Sequence, residues 1–226
     1  MKKTIIAATM ALGMGLSAMA QSTNPLLERR YNTPYEIPPF EKITTDNYRE
    51  AFLRGMEEQK KEIDAIVNNA EAPTFQNTIA ALDRSGQLLN RTAGVFYGLS
   101  RSCSTPELQN LESELSPLLS AHSDYMNMNE GLFLRVKAVY DGQDKLNLNT
   151  EEKRLLEKTY KGFVRGGAML DDAKKQRRSE INQQLAKLQL QFTQNLMHDT
   201  NNSYVTVSDV NELEGLPEAD IQKAAA

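Results

Sequence analysis

Histidine and cysteine, on which much metal and nucleophile chemistry depends, are scarce in this sequence. Of its 226 residues, two are histidine, one is cysteine and none is tryptophan. A single cysteine cannot form a disulfide within the chain. Cys103 lies in the predicted loop Arg-Ser-Cys-Ser-Thr-Pro, and as a nucleophile it would need a base close by. A non-catalytic role is therefore the favoured interpretation of Cys103.

The familiar catalytic and cofactor motifs are also missing. A zinc-peptidase helix carries two histidines one turn apart, with a glutamate after the first. Neither His122 nor His198 is followed by glutamate or has a histidine four residues away. There is no G-x-S-x-G nucleophile elbow and no glycine-rich phosphate loop. Spacing leaves a Ser-His-Asp arrangement open, because triads assemble in space. The residues alone therefore identify no catalytic, cofactor-binding or metal-binding position.

An excess of positive charge is absent as well. The formal net charge is −4, so the chain lacks the basic footprint expected of a nucleic-acid-binding protein. One dense basic cluster consists of Lys174, Lys175, Arg177 and Arg178. Acidic residues flank this cluster on both sides, which favours a solvated helix face over a phosphate-binding or membrane-binding patch.

The N-terminal residues have the pattern of an export signal. Lys2 and Lys3 precede an apolar run at 5–16, and Ala18-Met19-Ala20 matches an A-x-A cleavage site. The run is shorter than the roughly 20 residues that span a bilayer. We therefore predict a signal peptide at 1–20, export to the periplasm of a Gram-negative bacterium, and no membrane contact after its removal. Residues 21–44 are proline-rich and are expected to form an extended arm.

Residues 45–226 are predicted to form an all-α domain of long antiparallel helices. Leu, Glu, Gln, Lys, Ala and Met are plentiful, and these residues favour helix. Apolar residues recur at three- and four-residue steps, which is typical of helices with one face toward a core. The predicted core-facing series are Tyr48, Phe52, Met56, Gln59, Ile63 and Ile66; Phe75, Ile79, Leu82, Gly86, Leu89, Ala93 and Phe96; Leu108, Leu111, Leu115, Leu118, His122 and Tyr125; Leu132, Phe133, Val136 and Tyr140; Leu155, Leu156, Thr159, Phe163 and Met169; and Ile181, Leu185, Leu188, Phe192 and Leu196.

Local signals refine these helices. Residues that favour the N-cap position precede them: Thr44 or Thr45, Ser104 or Thr105, Asn129, Asn149 or Thr150, and Asp171 or Asp172. Pro117 is expected to kink its helix. The segment 203–208 is the one strand candidate, so we expect at most one short strand near 204–207. Leu216-Pro217-Glu218 begins a helix with few residues after it, and we expect the chain to be truncated relative to a longer parent.

His122 occupies an apolar series. A hydrogen-bonded core histidine is the favoured interpretation, and a metal ligand is the alternative.

Several stretches together resemble one family. Ile37-Pro38-Pro39-Phe40-Glu41-Lys42-Ile43, with Tyr48, Phe52 and Gly55-Met56 after it, is similar to the start of the thimet oligopeptidase-like zinc metallopeptidases, in particular the bacterial peptidyl-dipeptidases. The helix start at 72–86, with Pro73-Thr74-Phe75-Gln76-Asn77-Thr78-Ile79, is similar to theirs. The stretches at 118–124, 153–157, 163–168, 191–196 and 215–218 continue the resemblance in order.

This resemblance implies a fold and an activity. Such enzymes are nearly all-helical, and two halves flank a deep channel. They hold one zinc ion through H-E-x-x-H and a downstream glutamate, and remove C-terminal dipeptides from short peptides. The stretches matched here correspond to the N-terminal wall of the channel. Since no position matches the zinc motif, the resemblance assigns no catalytic or metal-binding residue and no cofactor to this chain.

Two functions follow as hypotheses. The first is an N-terminal channel-wall segment of an exported zinc peptidyl-dipeptidase, inactive alone, whose full-length form takes short peptides as partners. The second is an autonomous periplasmic helical module that binds a peptide or a partner helix between its helices. A metal-independent hydrolase is the least favoured interpretation. The sequence does not define an oligomeric state.

Overall fold

The computed structural model describes residues 24–225, and each regular element among these residues is a helix or a helical turn. The predicted signal peptide at 1–20 lies outside the described residues. The α-helices are α1 (Thr45–Val67), α2 (Ala81–Asp83), α3 (Gln87–Ser102), α4 (Pro106–Asn127), α5 (Glu130–Asp141), α6 (Thr150–Arg165), α7 (Asp172–Asn202) and α8 (Glu218–Ala225). A π-helical turn, Phe75–Ala80, leads into α2, and short 3-10 turns lie at Pro25–Leu27, Pro34–Glu36, Phe40–Lys42, Gln143–Lys145 and Val210–Leu213. The predicted all-α class is confirmed.

The helix starts coincide with the predicted capping residues. Thr44 caps α1, and its hydroxyl accepts a bond from the Asn47 backbone N–H while the Asn47 side chain accepts one from the Thr44 N–H. Asn149 forms the same reciprocal box with Glu152 at α6. Thr105, Asn129 and Asp171 cap α4, α5 and α7. These side chains satisfy backbone donors that the first turn of a helix leaves unpaired.

Helix α1 is the element on which two apolar clusters are built. Its N-terminal half packs with α3, α4 and the first turn of the arm around Tyr48, Phe52 and Phe96. Its C-terminal half packs with the π-helical turn, α5 and α6 around Ile63, Leu132 and Leu156. Phe96 meets Tyr48 and Phe52 edge-on, with ring centroids 5.2 and 5.4 Å apart, an arrangement that aromatic quadrupoles favour.

The second predicted helix is interrupted, contrary to the continuous series from Phe75 to Phe96. Gly86 has a left-handed backbone (φ 71°) and separates α2 from α3. A side chain at this position would be strained, and its Cβ would meet the amide of Gln59 at 2.3 Å. Helix α1 therefore approaches closely at Gly86, through the side chain of Gln59. A second close approach lies at Gly55 on α1, where an added Cβ would come within 2.9 Å of the Leu89 backbone.

Three expectations of burial are wrong. Leu118 on α4 and Met169 after α6 are exposed. The whole series Ile181, Leu185, Leu188, Phe192 and Leu196 on α7 is between 40% and 68% exposed. Helix α7 instead contacts α4 through less apolar positions at four-residue steps, among them Asn182, Ala186 and Leu190. The apolar series and the positions that contact α4 lie on different faces of α7, because adjacent residues point about 100° apart around a helix.

The remaining local expectations fall in helix α4 and in the segment after α7. Helix α4 runs through Pro117 from Pro106 to Asn127. Residues 203–209 form no strand and contain the exposed side chains of Tyr204 and Val205. Across residues 24–225, none of the helices combines the length and apolar character needed to cross a membrane.

Candidate functional site

Helix α7 exposes a series of five large apolar side chains along one face. We call it the α7 face: Ile181, Leu185, Leu188, Phe192 and Leu196. Isolated exposed apolar residues are common, but a continuous run along one helix marks an interaction surface. The exposed Tyr204, Val205 and Val210 follow soon after it in the chain. The α7 face is therefore the first candidate for a functional surface.

A polar groove lies between α4 and α7. We call it the Asp124 groove, with a volume of about 380 Å³. Ser120, Ser123 and Asn127 of α4 line one side, at steps that place them on one helix face. Asn182 and Gln189 of α7 line the other side. Asp124 and Arg178 are the charged residues in its lining.

Asp124 is held inside this groove by α7. Its side chain is only 8% exposed. One carboxylate oxygen, Oδ1, accepts a bond of 2.7 Å from the Asn182 amide. The other, Oδ2, is buried and has no hydrogen-bond partner among the described residues. The first bond fixes the carboxylate against α7, and the second oxygen is buried without a hydrogen bond.

A third polar feature joins α1 to α4 in the interior. His122 is 5% exposed, and its Nε2 lies 2.7 Å from Oε1 of Gln59. The Gln59 amide donates to the Ser85 hydroxyl at 3.2 Å, which in turn donates to the Leu82 carbonyl at 2.8 Å. Since Gln59 Oε1 only accepts, His122 carries its proton on Nε2. The favoured interpretation of His122 as a hydrogen-bonded core histidine agrees with this geometry.

The environment of His122 favours its neutral form. Burial lowers the pKa of His122, and the positive charge of Lys60 lowers it further. Both effects disfavour the imidazolium ion. Nδ1 has no partner among residues 24–225, so protonation there would bury a charge and a donor together. His122 therefore acts in packing α4 on α1.

The other residues considered from the sequence lie apart. Cys103 is exposed at the end of α3. His198 is exposed on α7 and contacts Asn202. In the basic cluster, Lys174 pairs with Asp171 at 2.6 Å and Arg177 with Glu180 at 3.0 Å. These exposed pairs agree with a solvated helix face, although Arg178 turns into the Asp124 groove.

The described residues do not fit a zinc site. No group of three or more His, Cys, Asp or Glu side chains within residues 24–225 is placed to hold a metal ion. His122, the buried histidine, is engaged by Gln59. No chemical step is therefore assigned to a metal in this chain.

The Asp124 groove could not be identified from apolar periodicity. Its residues belong to α4 and α7, which are brought together only by the fold. A weak signal was present: Ser116, Ser120, Ser123 and Asn127 recur at four- and three-residue steps, which defines a small polar face. Such a face is more often solvated than functional, so the burial of Asp124 is what distinguishes it.

Comparison with known proteins points to peptidases. The chain is 38% identical over 204 residues to a dipeptidyl carboxypeptidase of Salmonella typhimurium, covering 90% of this chain and 30% of that protein. It is 37% identical over 202 residues to a dipeptidyl carboxypeptidase of Escherichia coli, covering 89% of this chain and 30% of the relative. Oligopeptidase A of Escherichia coli is 29% identical over 204 residues, covering 90% of this chain and 29% of the relative. No family model matches the chain.

The matched regions span only part of each relative. They cover nearly all of this chain and about 30% of the length of each relative. The similarity therefore concerns a portion of those peptidases. It confirms the predicted resemblance: the chain is a homologue of the dipeptidyl carboxypeptidases in the thimet oligopeptidase-like family, over about 30% of their length.

Proposed function

We propose that this chain is the N-terminal channel wall of an exported zinc peptidyl-dipeptidase and lacks the catalytic half. In the complete enzyme it would restrict access to the channel and help to position peptides whose C-terminal dipeptide is removed. The zinc ion and its ligands would belong to the other half. The similarity to dipeptidyl carboxypeptidases supports the substrate class.

The exposed α7 face is the observation that carries this proposal. Five large apolar side chains lie 40–68% exposed along one helix. Burying them completely would contribute about 4–8 kcal/mol, at roughly 1.5–3 kcal/mol for each full side chain scaled by the exposed fraction. A gain of this size is comparable to the whole stability of a domain. We therefore expect further polypeptide of the same enzyme to cover the α7 face.

A chimera tests this function directly. The matching 202-residue region of the Escherichia coli dipeptidyl carboxypeptidase is replaced by residues 24–226 of this chain. The chimera should release dipeptides from a peptide with a free C-terminus, and a chelator should abolish the reaction. The chain alone should release none. Chelator-resistant dipeptide release by the chain alone would contradict the proposal and favour the metal-independent hydrolase.

Substitutions on α7 connect the activity to the proposed interface. Leu188→Gln with Phe192→Gln should lower activity and thermal stability of the chimera, because two apolar contacts become buried amides. Gln191→Ala is the matched control on an exposed polar position of the same helix and should leave both unchanged. Equal activity and stability of the Gln variant and the control would exclude α7 as the covered face.

The second candidate, an autonomous peptide-binding module, is favoured by a different observation. A larger groove of about 770 Å³ lies between α4 and α7, bordered by Ser113, Pro117 and Gln194. A chain that unfolds cooperatively as a monomer and binds peptides without metal would support this function. A chain that binds hydrophobic dyes and lacks a cooperative transition would favour the incomplete enzyme.

A further inference from the structure

A groove between the N-terminal arm, α1 and α3 is lined by four arginines that are far apart in the sequence. They are Arg29 and Arg30 of the arm, Arg54 of α1 and Arg91 of α3. We call this groove the arginine groove. Its volume is about 540 Å³, which falls within the range of small-ligand sites. Two glutamates line it as well, so arginines outnumber acidic residues in the lining although the whole chain has a net charge of −4.

The acidic residues around the groove neutralise only part of this positive charge. Arg54 Nε pairs with the carboxylate of Glu58 at 2.9 Å, and Arg30 lies 3.7 Å from the carboxylate of Glu36. The second acidic lining residue, Glu62, accepts a backbone N–H just before α3 at 2.7 Å. The other two arginines of the groove form no ion pair with residues 24–225.

Backbone carbonyls of the arm hold the guanidinium of Arg91. Its Nη1 donates to the Arg29 carbonyl at 3.4 Å, and its Nη2 donates to the Leu26 carbonyl at 3.2 Å. These partners carry no formal charge, so they position the guanidinium without neutralising it. Each terminal nitrogen of an arginine has two N–H groups, and each therefore keeps one further donor. Because Nε is buried, these terminal groups are the donors that we assign to a ligand.

The side chain of Arg29 begins next to this guanidinium. Arg29 is exposed, and its side chain forms no hydrogen bond or ion pair with the described residues. Its backbone carbonyl lies 3.4 Å from Arg91 Nη1, so the long side chain starts beside the same point. An unrestrained arginine side chain adjusts its rotamers to its partner. An anion bound by Arg91 can therefore be reached by Arg29 without a preset distance between the two guanidinium groups.

We propose that the arginine groove binds a small phosphate group, either free phosphate or a phosphate ester, through Arg91 and Arg29. A phosphate group carries close to two negative charges near neutral pH and has three strong acceptor oxygens, so it can accept from two guanidinium groups at once. A carboxylate has one charge and two oxygens, so it satisfies the pair less well. The binding residues belong to the arm and α3, so the inference does not rest on the proposed peptidase function.

Titration of the chain with inorganic phosphate tests the proposal. Backbone amide signals of residues 26–30 and 87–91 should shift saturably in NMR spectra recorded at constant ionic strength. Glycerol 3-phosphate should shift the same signals, and tighter binding of the ester than of free phosphate would identify the ester as the better ligand. Acetate should bind about tenfold more weakly or worse, because it forms fewer charge-assisted bonds. The proposal would be overturned by an absence of saturable shifts, or by acetate binding as tightly as phosphate.

Three variants separate a specific site from general attraction to positive charge. Arg29→Gln removes a side chain without contacts in the fold, so it should leave Tm unchanged and weaken phosphate binding about tenfold. Arg91→Lys keeps the charge but loses the planar fork of donors, so it should also weaken binding, by about fivefold or more. Arg165→Gln is the matched control, because Arg165 is an exposed arginine without an ion pair at the end of α6. It should leave the affinity unchanged. An equal loss with Arg165→Gln and Arg29→Gln, or no loss with Arg29→Gln, would refute the site.

Discussion

Replacing Gln59 by leucine should destabilise the fold by a predictable amount. Gln59 is 7% exposed and accepts the His122 Nε2–H bond. Leucine cannot accept it, and His122 Nδ1 has no partner among the described residues. The buried imidazole would then have no hydrogen bond, at a cost of about 1–3 kcal/mol. The Ser85 hydroxyl keeps its bond to Leu82 and adds little. For a chain of this size each kcal/mol corresponds to roughly 2–4 °C, so Tm should fall by about 2–12 °C.

Urea denaturation followed by circular dichroism at pH 7.5 provides the measurement. The cycle of Gln59→Leu, His122→Leu and the double variant isolates the pair. Each single variant leaves one buried polar group unpaired, whereas the double variant removes both. Replacing both partners of a buried hydrogen bond by apolar groups is far less costly than replacing one. The double variant should therefore be more stable than the sum of the single effects predicts, with a coupling energy of about 1–2 kcal/mol.

Gln76→Leu is the control for this experiment, since it makes the same chemical change at an exposed glutamine beside the buried Phe75. It should change the free energy of unfolding by no more than about 0.5 kcal/mol. If Gln59→Leu were as mild as Gln76→Leu, or if the cycle were additive, the bond between Gln59 and His122 would not join α1 to α4 in the way described.

Two further predictions concern the same core. Burial, with a smaller contribution from Lys60, holds the pKa of His122 below its usual value, so the unfolded chain takes up this proton more readily than the folded chain. Stability should therefore fall as pH drops below about 6.5 and stop falling once the folded-state pKa is passed. Denaturation curves measured between pH 8 and pH 5, the range in which histidine titrates, should show a smaller fall in the free energy of unfolding for His122→Leu than for the unsubstituted chain. Identical pH profiles of the two proteins would refute this prediction. Gly55→Ala should cost about 1–3 kcal/mol, because its Cβ would lie 2.9 Å from the Leu89 backbone. Gly98→Ala, with nothing within 4 Å of the added Cβ, should instead stabilise α3 by up to about 1 kcal/mol in thermal melts, and equal effects of the two substitutions would contradict the close approach at Gly55.

Helices with local start signals were predictable from the sequence. Thr44, Asn129 and Asn149 cap helices at the expected places because capping depends on residues within one turn. The break at Gly86 was missed because Ile79 and Leu89, on either side of it, both face the core. Apolar spacing indicates which residues are buried, but it does not indicate a single left-handed residue between two helical segments.

The candidate surfaces were less predictable, for a physical reason. Periodicity indicates that the α7 face is apolar, but what covers a face depends on elements elsewhere in space. Leu188 and Phe192 are exposed, although their spacing matches that of the buried Leu111 and Leu115. The groove around Asp124 depends on the register of α7 against α4, which no local pattern specifies. The family resemblance was carried by ordered short stretches, so it was accessible from the sequence.

Helix α1 belongs to both apolar clusters, and this affects the order in which the helices unfold locally. The cluster around Phe52 and the cluster around Ile63 both need α1 in place, while α7 has no residue that is fully buried. Amide hydrogens in the middle of α1, near Gln59, can exchange with solvent only when both clusters are lost together. Those of α7 can exchange through detachment of a single helix. Hydrogen exchange should therefore be slowest in α1 and fastest among the long helices in α7.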